Sequence, residues 1–274
     1  MNSSNLIILL GQRVRSGTNF IGSTLMMHPD VQSVPKNISH GEFNLFRSNN
    51  ILSVYREVSL KSFGLKFEDH EQKVFLENYG SVWLDILCNK YNLNSNKRIF
   101  IKSPIINNYE LWVKAFPEAK FLFLTRDGRD NVVSAVNSSN DKRSWHTWYK
   151  SLKKRMNFRC GRSFYLQAKN WKRTSLIYNS IHEDKNSKKI YYENLINNRS
   201  EISEVFDFLN LRKDDEILNQ CLNAPVVGSS SGVNTDKIRK SNWIPSKDKS
   251  NFQFKRKWTK WNYLKKTTFK LIAG

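Results

Sequence analysis

The sequence predicts an α/β fold: a single domain whose P-loop-like parallel sheet is flanked by helices. Three observations carry this expectation. Short apolar runs, Leu6–Leu10 and Lys120–Thr125 being the clearest, are continuous rather than alternating, as in strands buried on both faces. Helical patterns separate these runs, which is the order that builds a parallel sheet. The first run passes at once into "GQRVRSGTN" and then an amphipathic stretch. In that strand–loop–helix order, loop amides and a helix N-terminus can cradle phosphate.

Taken in chain order, the strands are predicted at Leu6–Leu10, Arg98–Lys102, Lys120–Thr125 and Lys188–Tyr192. Helices are predicted over Thr18–Met27, Tyr109–Phe116, Asp130–Asn137 and Arg199–Leu209, the last because Ile202, Val205, Phe206 and Leu209 recur at helical spacing. Lys142–Ser180, rich in Trp, Tyr and basic residues, reads as helices packed outside the sheet. No fixed-period repeat and no Pro/Gly-rich linker divides the chain, so residues 1–274 are expected to form one domain. Beyond Pro225 the texture becomes polar and basic. From Lys237 to Lys270 twelve basic residues face one acid, Asp248, with Trp243, Trp258 and Trp261 among them. Such a segment fits a solvated helix face, a nucleic-acid arm or a lid over an anionic cofactor.

The composition, 39% hydrophobic and 13% aromatic, is enough for a real core. A net charge of +21 points to anionic partners, whether nucleic acid, acidic lipid or an anionic cofactor, although a general Asn/Lys bias accounts for part of it. Cys88, Cys160 and Cys221 are distant and odd in number, which predicts buried free thiols and a reducing, cytoplasmic setting. The first residues lack a basic n-region, no run reaches the length of a membrane span, and the N-x-[ST] tripeptides read as chance. His28, His146 and His182 show no metal spacing, so no metal is expected.

The phosphate loop lacks its usual key residue. The nucleoside-triphosphate version needs Lys after the second glycine, whereas here Thr18 follows Gly17 directly. The strand Phe121–Thr125 ends in Arg126 rather than an acid, a further argument against the alternative of a P-loop nucleotide kinase. In "KFLFLTRDGRDNVVSAV", Arg126 sits at a strand's carboxyl end, where open α/β sheets bind ligands. Ser134, eight residues on, lies on a helix face that can turn back toward it. An Arg fork and a hydroxyl converging on one point suit a dianionic phosphate. The competing reading pairs Arg126 or Arg129 with Asp127 and Asp130 as surface ion pairs.

Together, "RSGTN" and "FLFLTRDGRDNVVSAV" resemble the two nucleotide-binding signatures of sulfotransferases, which use 3′-phosphoadenosine 5′-phosphosulfate. "HPDV", "KIYYENL" (with Asn194 in place of the usual acid), "VFDFLNL" and "WTKWNYLKKTTFKLIAG" are similar to further family elements, the last as in bacterial and Golgi-type members. The resemblance implies that the donor has no γ-phosphate and the reaction no Mg²⁺, so a loop without the Walker Lys is sufficient. It implies that Arg15 stabilises the leaving phosphate and that the amides of Ser16, Gly17, Thr18 and Asn19 hold the 5′-phosphate. Arg126 and Ser134 would hold the 3′-phosphate, Tyr192 would touch the adenine, and Ser230, Ser231, Lys237 and Arg239 would lie in a C-terminal cofactor-covering segment, about 226–274. Lys102 would reach the sulfuryl oxygens. Cytosolic members carry a His after that Lys, but here Ser103 and Pro104 follow. The base would then be a Glu after the first helix, Glu42, with His40 as rival. The implied activity is sulfuryl transfer to a hydroxyl of a carbohydrate, glycolipid or small metabolite, or of a tyrosyl peptide, leaving adenosine 3′,5′-bisphosphate. No metal, nucleic acid or membrane span is implied; the basic, Trp-bearing C-terminus keeps a nucleic-acid-binding module as the rival of another class.

Overall fold

Strand β1 (Leu6–Gly11) is buried along its whole length and divides the core. Leu6, Ile8 and Leu10 point to one side and Ile7 and Leu9 to the other, as the two-residue period of a strand requires. All five are fully buried, each burial stabilising the fold by about 1.5–3 kcal/mol. The computed structural model describes residues 3–35, 38–63, 69–139, 148–227, 245–247 and 256–274.

Among the described residues β1 is the centre of a five-stranded sheet, in order β2 (Val31–Gln32), β3 (Arg98–Ser103), β1, β4 (Lys120–Thr125) and β5 (Ser187–Tyr191), all parallel. Leu9 pairs with Lys102 on one side and with Leu122 on the other. The chain builds β2 and β3 on one flank, then crosses to β4 and β5 on the other. The carboxyl ends of β1, β3 and β4 therefore border a topological switch point, where such sheets bind ligands.

The Leu6 face is covered by α2 (Asn50–Phe63), α3 (Asp69–Tyr91) and α4 (Tyr109–Ala115), which bring Leu52, Leu76, Leu84 and Trp112 into the core. The Ile7 face is covered by α1 (Thr18–Leu25), α8 (Tyr192–Asn197), α9 (Arg199–Phe208) and α10 (Asp215–Leu222). Asn198 caps α9 by accepting from the Ser200 amide, and Asp214 caps α10 by accepting from Ile217. Next to β4, α5 (Gly128–Ser139) packs on α7 (Arg162–Ser180), which forms a hairpin with α6 (Trp148–Arg159) through Gly161. Two more strands, β6 (Val226–Val227) and β7 (Pro245–Lys247), pair as an antiparallel ribbon. A 3₁₀ turn at Lys257–Lys260 leads to α11 (Tyr263–Ala273), which packs on α7.

The predicted strands and helices are all present, within one to two residues at their ends. β5 stops at Tyr191, so Tyr192 opens α8 instead of ending a strand. α5 begins at Gly128, which places Ser134 in its second turn. The expectation of three buried thiols holds for Cys88 and Cys221 but not for Cys160, which is exposed at the α6–α7 corner. No described helix is long and apolar enough to cross a membrane.

Candidate nucleotide site

The loop after β1 turns on two left-handed residues, Arg15 (φ 76°) and Gly17 (φ 103°). Backbone of this kind aims consecutive N–H groups to one side and makes an anion-binding concavity. A glycine is needed at position 17 twice over, because a Cβ there would also sit 2.3 Å from the Tyr192 ring. The Ser16 side chain is turned inward: its hydroxyl donates to the Arg13 carbonyl at 2.7 Å, and its amide donates to the same carbonyl at 3.2 Å. Gly17 caps α1 without a side-chain acceptor, so the first-turn amides of Thr18 and Asn19 have no intrahelical partner. Arg13 fixes the loop from behind, with Nη1 donating to the Gln167 carbonyl of α7 at 2.7 Å. Burial, with Arg173 nearby, brings the Arg13 pKa down to about 10.

A cavity of about 560 Å³ opens in front of this loop. Arg15, Gly17, Thr18, Asn19, Glu42, Arg126, Ser134 and Tyr192 all line it. These residues span 177 positions of sequence yet converge, because the loop after β1, the end of β4 and helix α5 share one edge of the sheet. The Arg15 Nε donates to the Ser134 hydroxyl at 3.1 Å, and an Arg126 Nη1 donates to the Arg15 carbonyl at 3.4 Å. The Arg126 guanidinium lies 4.7 Å over the Tyr192 ring, a cation–π stack. Tyr192 is itself buried, edge-on to Phe20. Burial lowers the Arg15 pKa, and the neighbouring Arg126 lowers it further. Arg15, Arg126 and Lys154 thus line one cavity in which, among the described residues, Glu42 is the one acid, and its carboxylate accepts from Lys102. The Arg126 Nε is buried and has no hydrogen-bond partner among the described residues.

The ion-pair alternative divides between the two arginines. Arg129 binds Asp127, with Nε donating at 3.0 Å, whereas Arg126 forms no salt bridge among the described residues. Asp127 in turn is placed by its amide, which donates to Glu193 at 2.9 Å.

Behind Glu42 and Asn19, Lys102 is the penultimate residue of β3, with its side chain fully buried. Its ammonium donates to Glu42 Oε2 at 2.8 Å and to Asn19 Oδ1 at 2.7 Å. The backbone enforces the pairing: the Lys102 amide donates to the Gly41 carbonyl, and the Phe43 amide to the Lys102 carbonyl, so Glu42 bridges alongside β3. Burial lowers the Lys102 pKa from the ordinary lysine value, and the Glu42 carboxylate opposes that shift. His40 lies deeper, fully buried, its Nε2 3.5 Å from the Ser23 hydroxyl and outside the cavity lining. His28 is structural: Nε2 meets the Arg212 carbonyl at 2.8 Å, and Nδ1 accepts from the Asp30 amide.

Ser230, Ser231, Lys237 and Arg239 lie outside the described residues. Sequence reasoning missed Gln167 and Lys154, which also line the cavity. Neither belongs to a motif, and Gln167 reaches the loop across 154 positions of sequence.

The sulfotransferase family model matches residues 7–215. No curated protein matches the chain. Among solved structures, the sulfotransferase domain from the curacin biosynthetic pathway aligns at 15% identity over 97% of this chain and 95% of its own, with a TM-score of 0.52. The sulfotransferase domain from the Synechococcus PCC 7002 olefin synthase aligns at 15% identity over 100% and 96%, TM-score 0.49. Mouse sulfotransferase SULT7A1, complexed with PAP, aligns at 16% over 80% of this chain, which spans only 63% of the mouse chain, TM-score 0.47. The family match covers most of the chain, including β1 through β5 and the loop, Lys102, Arg126 and Ser134: the protein belongs to the sulfotransferase family.

Proposed function

We propose that the protein transfers a sulfuryl group from 3′-phosphoadenosine 5′-phosphosulfate to a hydroxyl acceptor. One observation carries this reading: Arg15, Arg126 and Ser134 meet in one cavity at the open N-terminus of α1, with the two guanidinium groups close enough for one to lower the other's pKa. The residues fit a nucleotide with phosphates at both ends of the ribose. Arg126 and Ser134 are suited to the 3′-phosphate, whose two charges would relieve the Arg15–Arg126 repulsion and occupy the Arg126 Nε. The amides of Gly17, Thr18 and Asn19, with Arg15, are suited to the 5′ end. Tyr192 and Phe20 offer an aromatic wall.

The donor, when bound, supplies the sulfuryl group and a phosphate as leaving group. In-line transfer then asks three things of the chain: to remove the acceptor's proton, to balance charge on the equatorial oxygens and to receive charge on the leaving oxygen. Glu42 is the carboxylate on the cavity wall and takes the proton. Lys102 is an ammonium held by two acceptors beside it, placed for the equatorial oxygens. Arg15 stands at the leaving side. The 3₁₀ turn Lys257–Lys260 of the basic C-terminal segment covers the 3′ end. Its docking at the N-terminus of α5 supports this, through the Lys257 amide donating to Asp130 Oδ1 at 2.9 Å and Arg129 lying 3.9 Å over Trp258.

Thermal unfolding tests the reading. Adenosine 3′,5′-bisphosphate at about 100 times its Kd contributes roughly 2.7 kcal/mol. For a domain of this size that raises Tm by roughly 5–10 °C. ATP–Mg²⁺ at the same concentration is expected to shift Tm far less. A larger shift from ATP–Mg²⁺ contradicts the assignment.

A further inference from the structure

The α6–α7 hairpin and α11 carry a surface that the nucleotide site does not use. Between Leu152 and Ser180 the sequence has eight Lys/Arg and no Asp or Glu; between Arg256 and Gly274 it has six and none. The two segments form one body. Trp171 packs on Phe269, Phe164 on Trp261, and the Lys172 ammonium donates to the Gly274 carbonyl at 3.1 Å. On α7 the buried residues Ala168, Thr174 and Tyr178 take the sheet side. Tyr165, Leu166, Lys169, Arg173 and Leu176 recur at helical spacing on the other side, all exposed. On α11, Phe269 faces α7, and the outward arc holds Tyr263 (84% exposed), Leu264 (71%) and Leu271 (82%), with Lys266 and Lys270 along its edge.

We infer that this face docks on an anionic lipid bilayer. A helix presenting Tyr and Leu between lysines suits the headgroup–acyl boundary, where apolar side chains enter and cations meet lipid phosphates. Charge decides against a second copy of the chain, since apposing this face to itself stacks cations with no acid to pair them. The exposed Tyr263, Leu264 and Leu271 decide against nucleic acid or an acidic glycan, which reward the cations but leave large apolar side chains in water. Lys154 and Gln167 of the same hairpin line the nucleotide cavity, so docking brings that cavity to the membrane surface. The inference stands on surface chemistry and does not require sulfuryl transfer.

Flotation of the full chain with vesicles tests it. Equimolar phosphatidylglycerol and phosphatidylcholine vesicles are expected to carry the protein up, and pure phosphatidylcholine vesicles are not. Lys169→Gln/Lys266→Gln/Lys270→Gln lowers partitioning on the order of 100-fold, at about fivefold per cation. Leu264→Ser/Leu271→Ser lowers it by about tenfold, since both side chains enter the apolar boundary. Both variants keep the Tm and the bisphosphate-induced shift of the parent, which separates this test from that of the nucleotide site. Three results would overturn the inference: no flotation on anionic vesicles, unchanged flotation of the Leu variant with full competition by an oligonucleotide, or a concentration-dependent dimer that the Leu substitutions abolish.

Discussion

Glu42→Gln is expected to slow turnover by roughly 10²–10⁴-fold, the range that general-base catalysis spans. Affinity for adenosine 3′,5′-bisphosphate should stay within about twofold, because the lost proton acceptor does not hold nucleotide. The substitution is nearly isosteric, and the amide oxygen can still accept from the Lys102 ammonium, so the β3 bridge at Gly41–Phe43 survives. What disappears is the only carboxylate on the cavity wall among the described residues. Single-turnover kinetics beside a direct binding titration separates the two effects. A variant that turns over at the parent rate removes Glu42 from the chemistry and leaves the proton to another acceptor, such as the donor's own oxygens. His40 gains little from such a result, being buried behind the wall.

Lys102→Met is expected to reduce turnover by about 10²–10³-fold, the cost of removing one preorganised donor to transition-state charge. It also carries a pH signature. Burial lowers the Lys102 pKa below the ordinary 10.5, and Glu42 only partly opposes that. The ammonium is therefore lost at lower pH than in an exposed lysine, and the activity that depends on it falls on the alkaline side, beginning below pH 10.5. Stability runs the other way. Between the lowered folded pKa and the unfolded value the unfolded chain binds more protons, so stability rises with pH across that window. Lys102→Met should abolish both trends, the alkaline fall in kcat and the alkaline gain in Tm. An alkaline limb unchanged in Lys102→Met assigns the titration to another group.

The strands β1 and β4 were legible because burial on both faces keeps their middles continuously apolar. β1 reads Leu-Ile-Ile-Leu-Leu and β4 reads Phe-Leu-Phe-Leu, and the helices of strong contrast, α5 and α9, were legible for a related reason. α3 was not. Its buried residues, Gln72, Leu76, Gly80, Leu84, Leu87 and Cys88, recur every three to four positions. Yet one of them is polar and one a glycine, while Val74, Val82 and Ile86 lie exposed on the outer face. The apolar stripe is blurred from both sides. β2, two residues long, carries no period at all.

At the site, Arg126 could be named in advance because the carboxyl end of a parallel strand is a fixed address, and Arg15 and Lys102 because the family resemblance marks their positions. The contacts between them could not. That Lys102 holds Asn19 and Glu42 together depends on a bridge between chain segments 60 positions apart, and that Arg126 stacks on Tyr192 depends on where α8 begins. The expectation that Cys160 is buried failed because a cysteine in a helix hairpin gives no local sign of lying at its outer corner.

The most direct test of a site built for a nucleotide with a 3′-phosphate is a calorimetric titration of the parent protein and Arg126→Ala with adenosine 3′,5′-bisphosphate and with adenosine 5′-monophosphate. The parent should bind the bisphosphate much more tightly. Arg126→Ala should lose about 2–4 kcal/mol of bisphosphate affinity, the scale of a charge-assisted, desolvated contact, and little of its monophosphate affinity. Equal losses for the two ligands, or a parent protein that does not discriminate between them, would remove Arg126 from the 3′-phosphate and contradict the assignment of the cavity.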